Sequence, residues 1–190
     1  MLASILWTTV KAKVYNVAVS QQTEVLVSQE KIKQTVGRLA AEIRKDYEGK
    51  EPLLICILKG SFVFMADLIR QLGLPVEVDF IRLSSYGAGK ETSGKVKVIQ
   101  ALKTPIKGRD VILVEDIVDT GLTLSFLLGH LKKKKPASLK LCALADKPSR
   151  RVVPVPIDYL GFTVPNKFIV GYGIDWNEKF RYLPDVCFID

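Results

Sequence analysis

Short, wholly apolar runs separated by helical stripes are the feature that most constrains the fold of this chain. The run Leu53–Leu58 contains no polar residue, and Val111–Val114 is equally apolar. Such runs suit strands that are buried on both faces of a parallel sheet. From Ile32 to Tyr47, apolar residues recur every three to four positions, which predicts an amphipathic helix. The alternation predicts an α/β fold with a mostly parallel central sheet flanked by helices.

The chain alternates between predicted strands and helices up to about Asp146. Helices are predicted to begin near Ser28, Ser61 and Thr120–Gly121. The predicted strands are Glu24–Val27, Leu53–Leu58, Val76–Phe80, a segment near residues 96–98, Val111–Val114, Leu139–Leu144, Tyr159–Leu160 and Phe168–Val170. After Asp146 the chain is irregular and interrupted by prolines. We expect this tail to fold over the carboxyl edge of the sheet, where open α/β sheets bind ligands.

The composition is typical of a globular chain in a reducing compartment. With 190 residues, 48% of them hydrophobic and 25% charged, the sequence suits one domain. Cys56, Cys142 and Cys187 lack metal-ligand spacing, which favours packed thiols and a cytoplasmic location. The longest apolar run is too short to cross a bilayer, so we expect no membrane partner. His130 is the only histidine, which excludes sites that need two.

The net charge of +8 leaves nucleic acid, a membrane surface and a small anionic substrate open as partners. The run Lys132–Lys135 ends a predicted helix, where lysines complement the helix dipole. No aromatic residues that would stack on bases are interleaved with these lysines. We therefore expect a solvated helix end and no nucleic-acid partner.

The segment Ser84–Gly94, SSYGAGKETSG, differs from its surroundings. It contains three glycines and few apolar residues, and it lies between two predicted strands. Because it is too long for a tight hairpin, it is expected to be either a disordered connection or a mobile lid.

The segment 111–125, VILVEDIVDTGLTLS, carries most of the chemistry. A buried strand is predicted to end in Glu115 and Asp116, and a short loop with Asp119 then leads into a helix. Backbone N–H groups at such a turn point outward together and form an anion site with the positive end of the helix. Gly121 allows close approach, so the loop suits a phosphate, although it is neither GxxxxGKS/T nor GxGxxG. The two acids would repel that phosphate unless they bind ribose hydroxyls or a cation.

This segment resembles the phosphoribosyl-pyrophosphate motif of the type I phosphoribosyltransferases. Its form EDIVDTGLTL is similar to the 6-oxopurine branch, which acts on hypoxanthine and guanine, especially in its bacterial-type members. The resemblance covers residues 22–190 as one domain and leaves residues 1–21 as an extension of unknown role. It implies the type I phosphoribosyltransferase fold, with a core of about residues 30–146. A small hood would come mainly from residues 147–190 and the N-terminal strand.

The resemblance also implies roles for the residues that bind the sugar donor. Glu115 and Asp116 match the pair on the ribose hydroxyls and are also metal candidates, and Asp119 matches the base that takes the purine N7 proton. The residues that match the 5-phosphate loop are Thr120, Gly121, Leu122 and Thr123.

Other matches fall on the leaving group and the lid. Lys59 and Gly60 match the pyrophosphate loop, which in the family often has a non-proline cis peptide before the lysine. Arg181 matches a second pyrophosphate contact. Ser85 and Tyr86 match the lid that closes over the reaction.

The remaining matches concern the purine and the metal. Lys147 matches the lysine that donates to the 6-oxo group, Phe168 the residue stacked on the base, and Ile169 a backbone partner of the purine edge. Asp175 lies in the purine-binding segment and matches a Mg²⁺ ligand.

The implied activity is purine salvage. A member of this branch transfers the 5-phosphoribosyl group of phosphoribosyl pyrophosphate to N9 of hypoxanthine or guanine with Mg²⁺, giving IMP or GMP and pyrophosphate. The resemblance also implies a homodimer or homotetramer. Two alternatives stay open: a xanthine-preferring phosphoribosyltransferase, and an RNA-binding regulator on the same fold, which the basic charge would suit.

Overall fold

The computed structural model describes residues 23–85 and 96–189. The extension predicted for residues 1–21 and the predicted lid residue Tyr86 lie outside the described residues. In chain order the elements are β1 (Glu24–Val27), α1 (Gln29–Asp46), β2 (Leu53–Leu58), α2 (Phe62–Leu72), β3 (Glu77–Ser85), β4 (Val96–Gln100), β5 (Asp110–Val118), α3 (Leu122–Lys132), β6 (Ser138–Asp146), a 3₁₀ turn (Pro148–Arg150), β7 (Tyr159–Thr163), β8 (Phe168–Val170) and β9 (Val186–Ile189).

The predicted α/β fold with a mostly parallel central sheet is confirmed. Six strands form the main sheet in the order β4-β3-β2-β5-β6-β7. Strand β4 runs antiparallel to β3, and every other neighbouring pair is parallel. Because parallel strands end at a common edge, the residues that follow β2, β5 and β6 lie close together.

Strand β2 is apolar throughout because both of its faces are covered. Leu54 and Cys56 belong to the core cluster that contains the buried faces of α1 and α2. Leu53 and Ile55 belong to the opposite cluster, which contains the buried leucines of α3. Burial of each such aliphatic side chain contributes roughly 1.5–3 kcal/mol to folding.

The helices follow the predicted pattern. The Ser28 hydroxyl caps α1 by accepting a hydrogen bond from the Lys31 N–H at 3.3 Å. Helix α3 begins after Gly121, and the expected solvated end is confirmed because Lys132–Lys135 are exposed. None of the described helices is long and apolar enough to cross a membrane. All three cysteines are buried free thiols, as expected.

A second, smaller sheet joins the two ends of the described chain. It has the order β1-β9-β8, and both of its strand pairs are antiparallel. Strand β7 lies within the range predicted for the hood, but it pairs with β6 at the edge of the main sheet. The tail does fold over the carboxyl edge of the main sheet, since Glu178 contacts Lys59 directly after β2.

The predicted end of the central strand was wrong. Strand β5 continues to Val118 instead of ending in the two acids, so Glu115 and Asp116 lie within the strand and not at its end. The extension is stabilised by β6, which pairs with β5 as far as Val118 opposite Asp146. The two adjacent acids interrupt the apolar sequence pattern, but β5 stays paired with β6 on both sides of them. Strand β9 was not predicted from the sequence.

Candidate active site

The loop after β2 packs tightly against the acids of β5. The Leu58–Lys59 peptide bond is cis, and Gly60 follows it. A Cβ atom at Gly60 would overlap the Asp116 carboxylate, so the loop approaches β5 as closely as it does only because residue 60 has no side chain. The predicted pyrophosphate loop and the predicted ribose acids are therefore neighbours.

The two acids of β5 are half-buried and directly follow four fully buried residues. Within the described part of the chain, Glu115 Oε2 is buried and has no hydrogen-bond partner. Burial raises the pKa of Glu115 well above its usual range, and the charge of Asp116 adds to this effect. Burial likewise raises the pKa of Asp116 to about 6, although its Oδ1 accepts a hydrogen bond from the Ile117 N–H at 2.9 Å. An orphaned buried carboxylate oxygen of this kind suits a ligand hydroxyl or a cation.

The loop between β5 and α3 forms a small cavity at the start of the helix. Gly121 has a φ of +83°, and a Cβ atom there would overlap the Val153 carbonyl oxygen. The Thr120 carbonyl accepts hydrogen bonds from the N–H groups of Val152 at 2.9 Å and Val153 at 3.1 Å. The cavity has a volume of about 140 Å³, and the predicted site residues that line it are Glu115, Asp119, Thr120, Gly121 and Thr123. The predicted Leu122 is the first residue of α3.

Two arginines that sequence reasoning missed contact Asp119. The Arg150 Nε atom lies 3.0 Å from Asp119 Oδ1. Arg151 donates to the Asp119 backbone carbonyl at 2.7 Å and also pairs with the Asp146 carboxylate. The sequence feature that could have indicated these contacts is the pair of adjacent arginines shortly after Lys147. These contacts fix the loop that carries Asp119 against the segment after β6.

Lys147 is buried and lies beside the small sheet. Its side chain is 7% exposed, and its Nζ donates a hydrogen bond to the Lys167 carbonyl at 2.7 Å. Burial lowers the pKa of Lys147, while the charge of Asp119 raises it. The Lys147 ammonium therefore lies close to the start of β8, where it can donate a hydrogen bond to a bound ligand.

Two of the predicted purine-binding residues, Phe168 and Ile169, lie on strand β8. Phe168 is 53% exposed and meets the Trp176 ring edge-on, with 6.5 Å between the ring centroids. Ile169 is buried, and β8 is an edge strand of its sheet. The backbone of β8 therefore has one edge available for a ligand. Ser85, a predicted lid residue, is the last residue of β3 and pairs with Val96.

A turn in the tail gathers the remaining predicted residues. Arg181 lies 2.7 Å from the Asp175 carboxylate and donates to the Gly173 carbonyl at 2.7 Å. Glu178, which sequence reasoning missed, contacts both Lys59 and Arg181. The two predicted pyrophosphate cations thus meet at one carboxylate.

The carboxylates fit a magnesium ion that arrives with a phosphorylated ligand. Among residues 23–85 and 96–189, no group of three or more His, Cys, Asp or Glu side chains is placed to hold a metal alone. Mg²⁺ is usually bound by one or two carboxylates together with substrate phosphates and waters. The orphaned oxygen of Glu115 and the carboxylate of Asp175 agree with that mode of binding.

Comparison with known proteins identifies the family. The model of the phosphoribosyl transferase domain matches residues 22–177. Hypoxanthine-guanine phosphoribosyltransferase of Streptococcus thermophilus is 48% identical over 86% of this chain and 91% of that protein.

Two solved structures agree with this match. A hypoxanthine-guanine phosphoribosyltransferase from Bacillus anthracis superposes with a TM-score of 0.85 at 49% identity, over 90% of this chain and 100% of that chain. Trypanosoma cruzi hypoxanthine phosphoribosyl transferase, studied for the role of its C-terminal region in oligomeric state and enzymatic activity, gives a TM-score of 0.84 at 40% identity, over 90% and 93% of the two chains. The chain belongs to the phosphoribosyltransferase family and, within it, to the hypoxanthine-guanine phosphoribosyltransferases.

Proposed function

We propose that this protein transfers the 5-phosphoribosyl group of phosphoribosyl pyrophosphate to N9 of hypoxanthine or guanine, a reaction of purine salvage. The observation that carries the proposal is the cavity at the start of α3, which is lined both by the predicted phosphate loop and by the Glu115 carboxylate of β5, one oxygen of which is buried without a partner. A phosphorylated sugar suits this cavity because its phosphate can bind the loop and its hydroxyls can donate hydrogen bonds to the carboxylate. The family relatives named for this activity support the same assignment.

The 5-phosphate of the donor binds the loop and the first turn of α3. Backbone N–H groups and the helix dipole favour an anion there, and the hydroxyls of Thr120 and Thr123 add hydrogen-bond donors. Glu115 and Asp116 accept hydrogen bonds from the ribose hydroxyls, which replaces the water that burial removed from them. The sugar is thereby oriented with C1 toward the purine pocket.

The leaving pyrophosphate lies between the loop after β2 and the tail. Lys59 and Arg181 supply positive charge, and Gly60 lets the backbone approach. Asp175, Glu115 and Asp116 would hold Mg²⁺ together with the donor. When bound, this ion offsets the negative charge that builds up on the leaving pyrophosphate.

The purine binds on β8 against Phe168, with its edge toward the Ile169 backbone. Lys147 donates to the 6-oxo group. As N9 bonds to C1, the bond from C1 to the pyrophosphate oxygen breaks, and the purine N7 proton passes to Asp119. The Arg150 guanidinium lies 3.0 Å from this carboxylate and helps to hold it in position.

Further parts of the proposal rest on the resemblance. Ser85 and Tyr86 belong to a lid that excludes water from a cation-like transition state. The domain divides into a core of about residues 30–146, to which β7 adds an edge strand, and a hood formed mainly by residues 147–190 with β1. We infer a homodimer or homotetramer, and the buried free thiols support a cytoplasmic location.

A spectrophotometric assay of the purified protein tests the function. With the sugar donor and Mg²⁺, we expect hypoxanthine and guanine to be converted to IMP and GMP, and adenine to be left unchanged. Xanthine turned over faster than either purine would favour the xanthine-preferring alternative. Absence of transfer to every purine would reject the proposal and favour the RNA-binding regulator.

Replacing Asp119 by Asn should lower turnover by about 10²–10⁴-fold, as loss of a general base typically does. The donor should still bind, because its phosphate and ribose contacts are intact. Steady-state kinetics and donor titration on the same protein separate the two effects. The matched control is Glu51→Gln, an exposed residue just before β2 at the opposite edge of the sheet. Turnover close to that of the control would remove Asp119 from catalysis.

Replacing Lys147 by Ala should weaken the preference for 6-oxopurines. An ammonium donates hydrogen bonds and cannot accept them, so it selects an oxo group over the amino group of adenine. Loss of one charged hydrogen bond of about 1.5–3 kcal/mol should lower kcat/KM for hypoxanthine by roughly 10–100-fold. The exposed Lys133→Ala variant is the control. An unchanged ratio of hypoxanthine to adenine use would show that Lys147 does not set specificity.

A further inference from the structure

The Glu178 carboxylate bridges two cations that belong to different parts of the chain. Its Oε1 lies 2.6 Å from Lys59 Nζ in the loop after β2, and its Oε2 lies 2.9 Å from Arg181 Nη2 in the tail. Both cations hold the pKa of Glu178 at about 2, with Lys59 the larger influence. One anion with two oxygens therefore occupies the point where two positive groups converge.

The backbone around Glu178 holds its carboxylate in this position. Asn177 and Glu178 have φ angles of +51° and +61°, which non-glycine residues rarely adopt. The Glu178 N–H donates to Asp175 Oδ2 at 2.8 Å, and Trp176 and Lys179 close the turn by bridging to each other. The position of the side chain is thus set by a turn built around Asp175.

The bridge is nevertheless open to exchange. The side chains of Glu178 and Lys59 are 63% and 43% exposed. Exposed ion pairs contribute little to stability, typically below about 1 kcal/mol. Arg181 keeps its contacts to Asp175 and the Gly173 carbonyl without Glu178, so its guanidinium stays oriented after the bridge opens. The carboxylate can therefore leave while the cations stay in place.

We propose that Glu178 is an internal counterion of the pyrophosphate subsite, which the pyrophosphate group must displace from Lys59 and Arg181 when it binds. This inference rests on the proposed function, since it takes Lys59 and Arg181 as the pyrophosphate contacts. Glu178 pairs with Lys59 and shares Arg181 with Asp175, and it competes with the anion for both cations. It weakens the binding of pyrophosphate and, in the same way, promotes its release as a product.

Titration calorimetry with pyrophosphate and Mg²⁺ tests this inference. We expect Glu178→Gln to bind pyrophosphate roughly threefold to tenfold more tightly than wild type, because the competing charge is gone and the side-chain shape is kept. Glu51→Gln should bind as wild type does. Glu178→Asn is a second variant, because Asn tolerates a positive φ better than most residues, and it should also bind more tightly.

A double-mutant cycle assigns the effect to the bridge. In a Lys59→Gln background, the gain from Glu178→Gln should shrink, because one of the two cations that Glu178 neutralises is absent. The proposal would be overturned if both Glu178 variants bound pyrophosphate no more tightly than wild type does. So would a gain that stays the same in the Lys59→Gln background.

The transfer assay separates this inference from the function on which it rests. If wild type forms IMP and the Glu178 variants bind pyrophosphate no more tightly, the counterion role alone is wrong. If wild type transfers no phosphoribosyl group to any purine, the proposed function fails whatever the calorimetry gives.

Discussion

The partial burial of two adjacent carboxyl groups in β5 is the constraint on which the rest of the site depends. Glu115 and Asp116 follow four fully buried residues, Val111–Val114, and burial raises the pKa of both acids. Ionising them there is unfavourable unless hydrogen-bond donors or a cation come close. A sugar with two free hydroxyls, accompanied by Mg²⁺, supplies both. The two acids of β5 are therefore unfavourable for the stability of the free protein, and the bound donor substrate would stabilise them.

The neighbouring loops are arranged around this pair. Gly60 accommodates the Asp116 carboxylate, and a Cβ atom at Gly173 would overlap the Gly60 carbonyl oxygen. Arg181 in turn donates to the Gly173 carbonyl. A continuous set of contacts therefore runs from the acids, through the loop after β2, to Arg181 of the proposed leaving-group subsite. A side chain at position 60 would overlap the Asp116 carboxylate, and one at position 173 would overlap the Gly60 carbonyl oxygen, so the proposed ribose and pyrophosphate subsites are fixed relative to each other.

Local pattern and resemblance predicted the sheet, the three helices and the loop between β5 and α3, because apolar periodicity and the strand-to-helix turn are local properties. The same pattern ended β5 at the two acids and not at Val118, because it gives no information about pairing with β6. The contacts made by Arg150 and Glu178 were missed for a related reason. Each side chain meets its partner across a distance in sequence, 31 residues for Arg150 to Asp119 and 119 for Glu178 to Lys59.

The affinities of GMP and 2′-deoxy-GMP, measured by titration calorimetry, test most directly whether the buried acids bind the ribose. The two nucleotides share the base and the 5-phosphate and differ only in one hydroxyl. If Glu115 and Asp116 accept hydrogen bonds from the ribose hydroxyls, GMP should bind at least roughly tenfold more tightly than 2′-deoxy-GMP. The reason is that a hydrogen bond to a charged group contributes about 1.5–3 kcal/mol. Equal affinities would contradict this role of the acids.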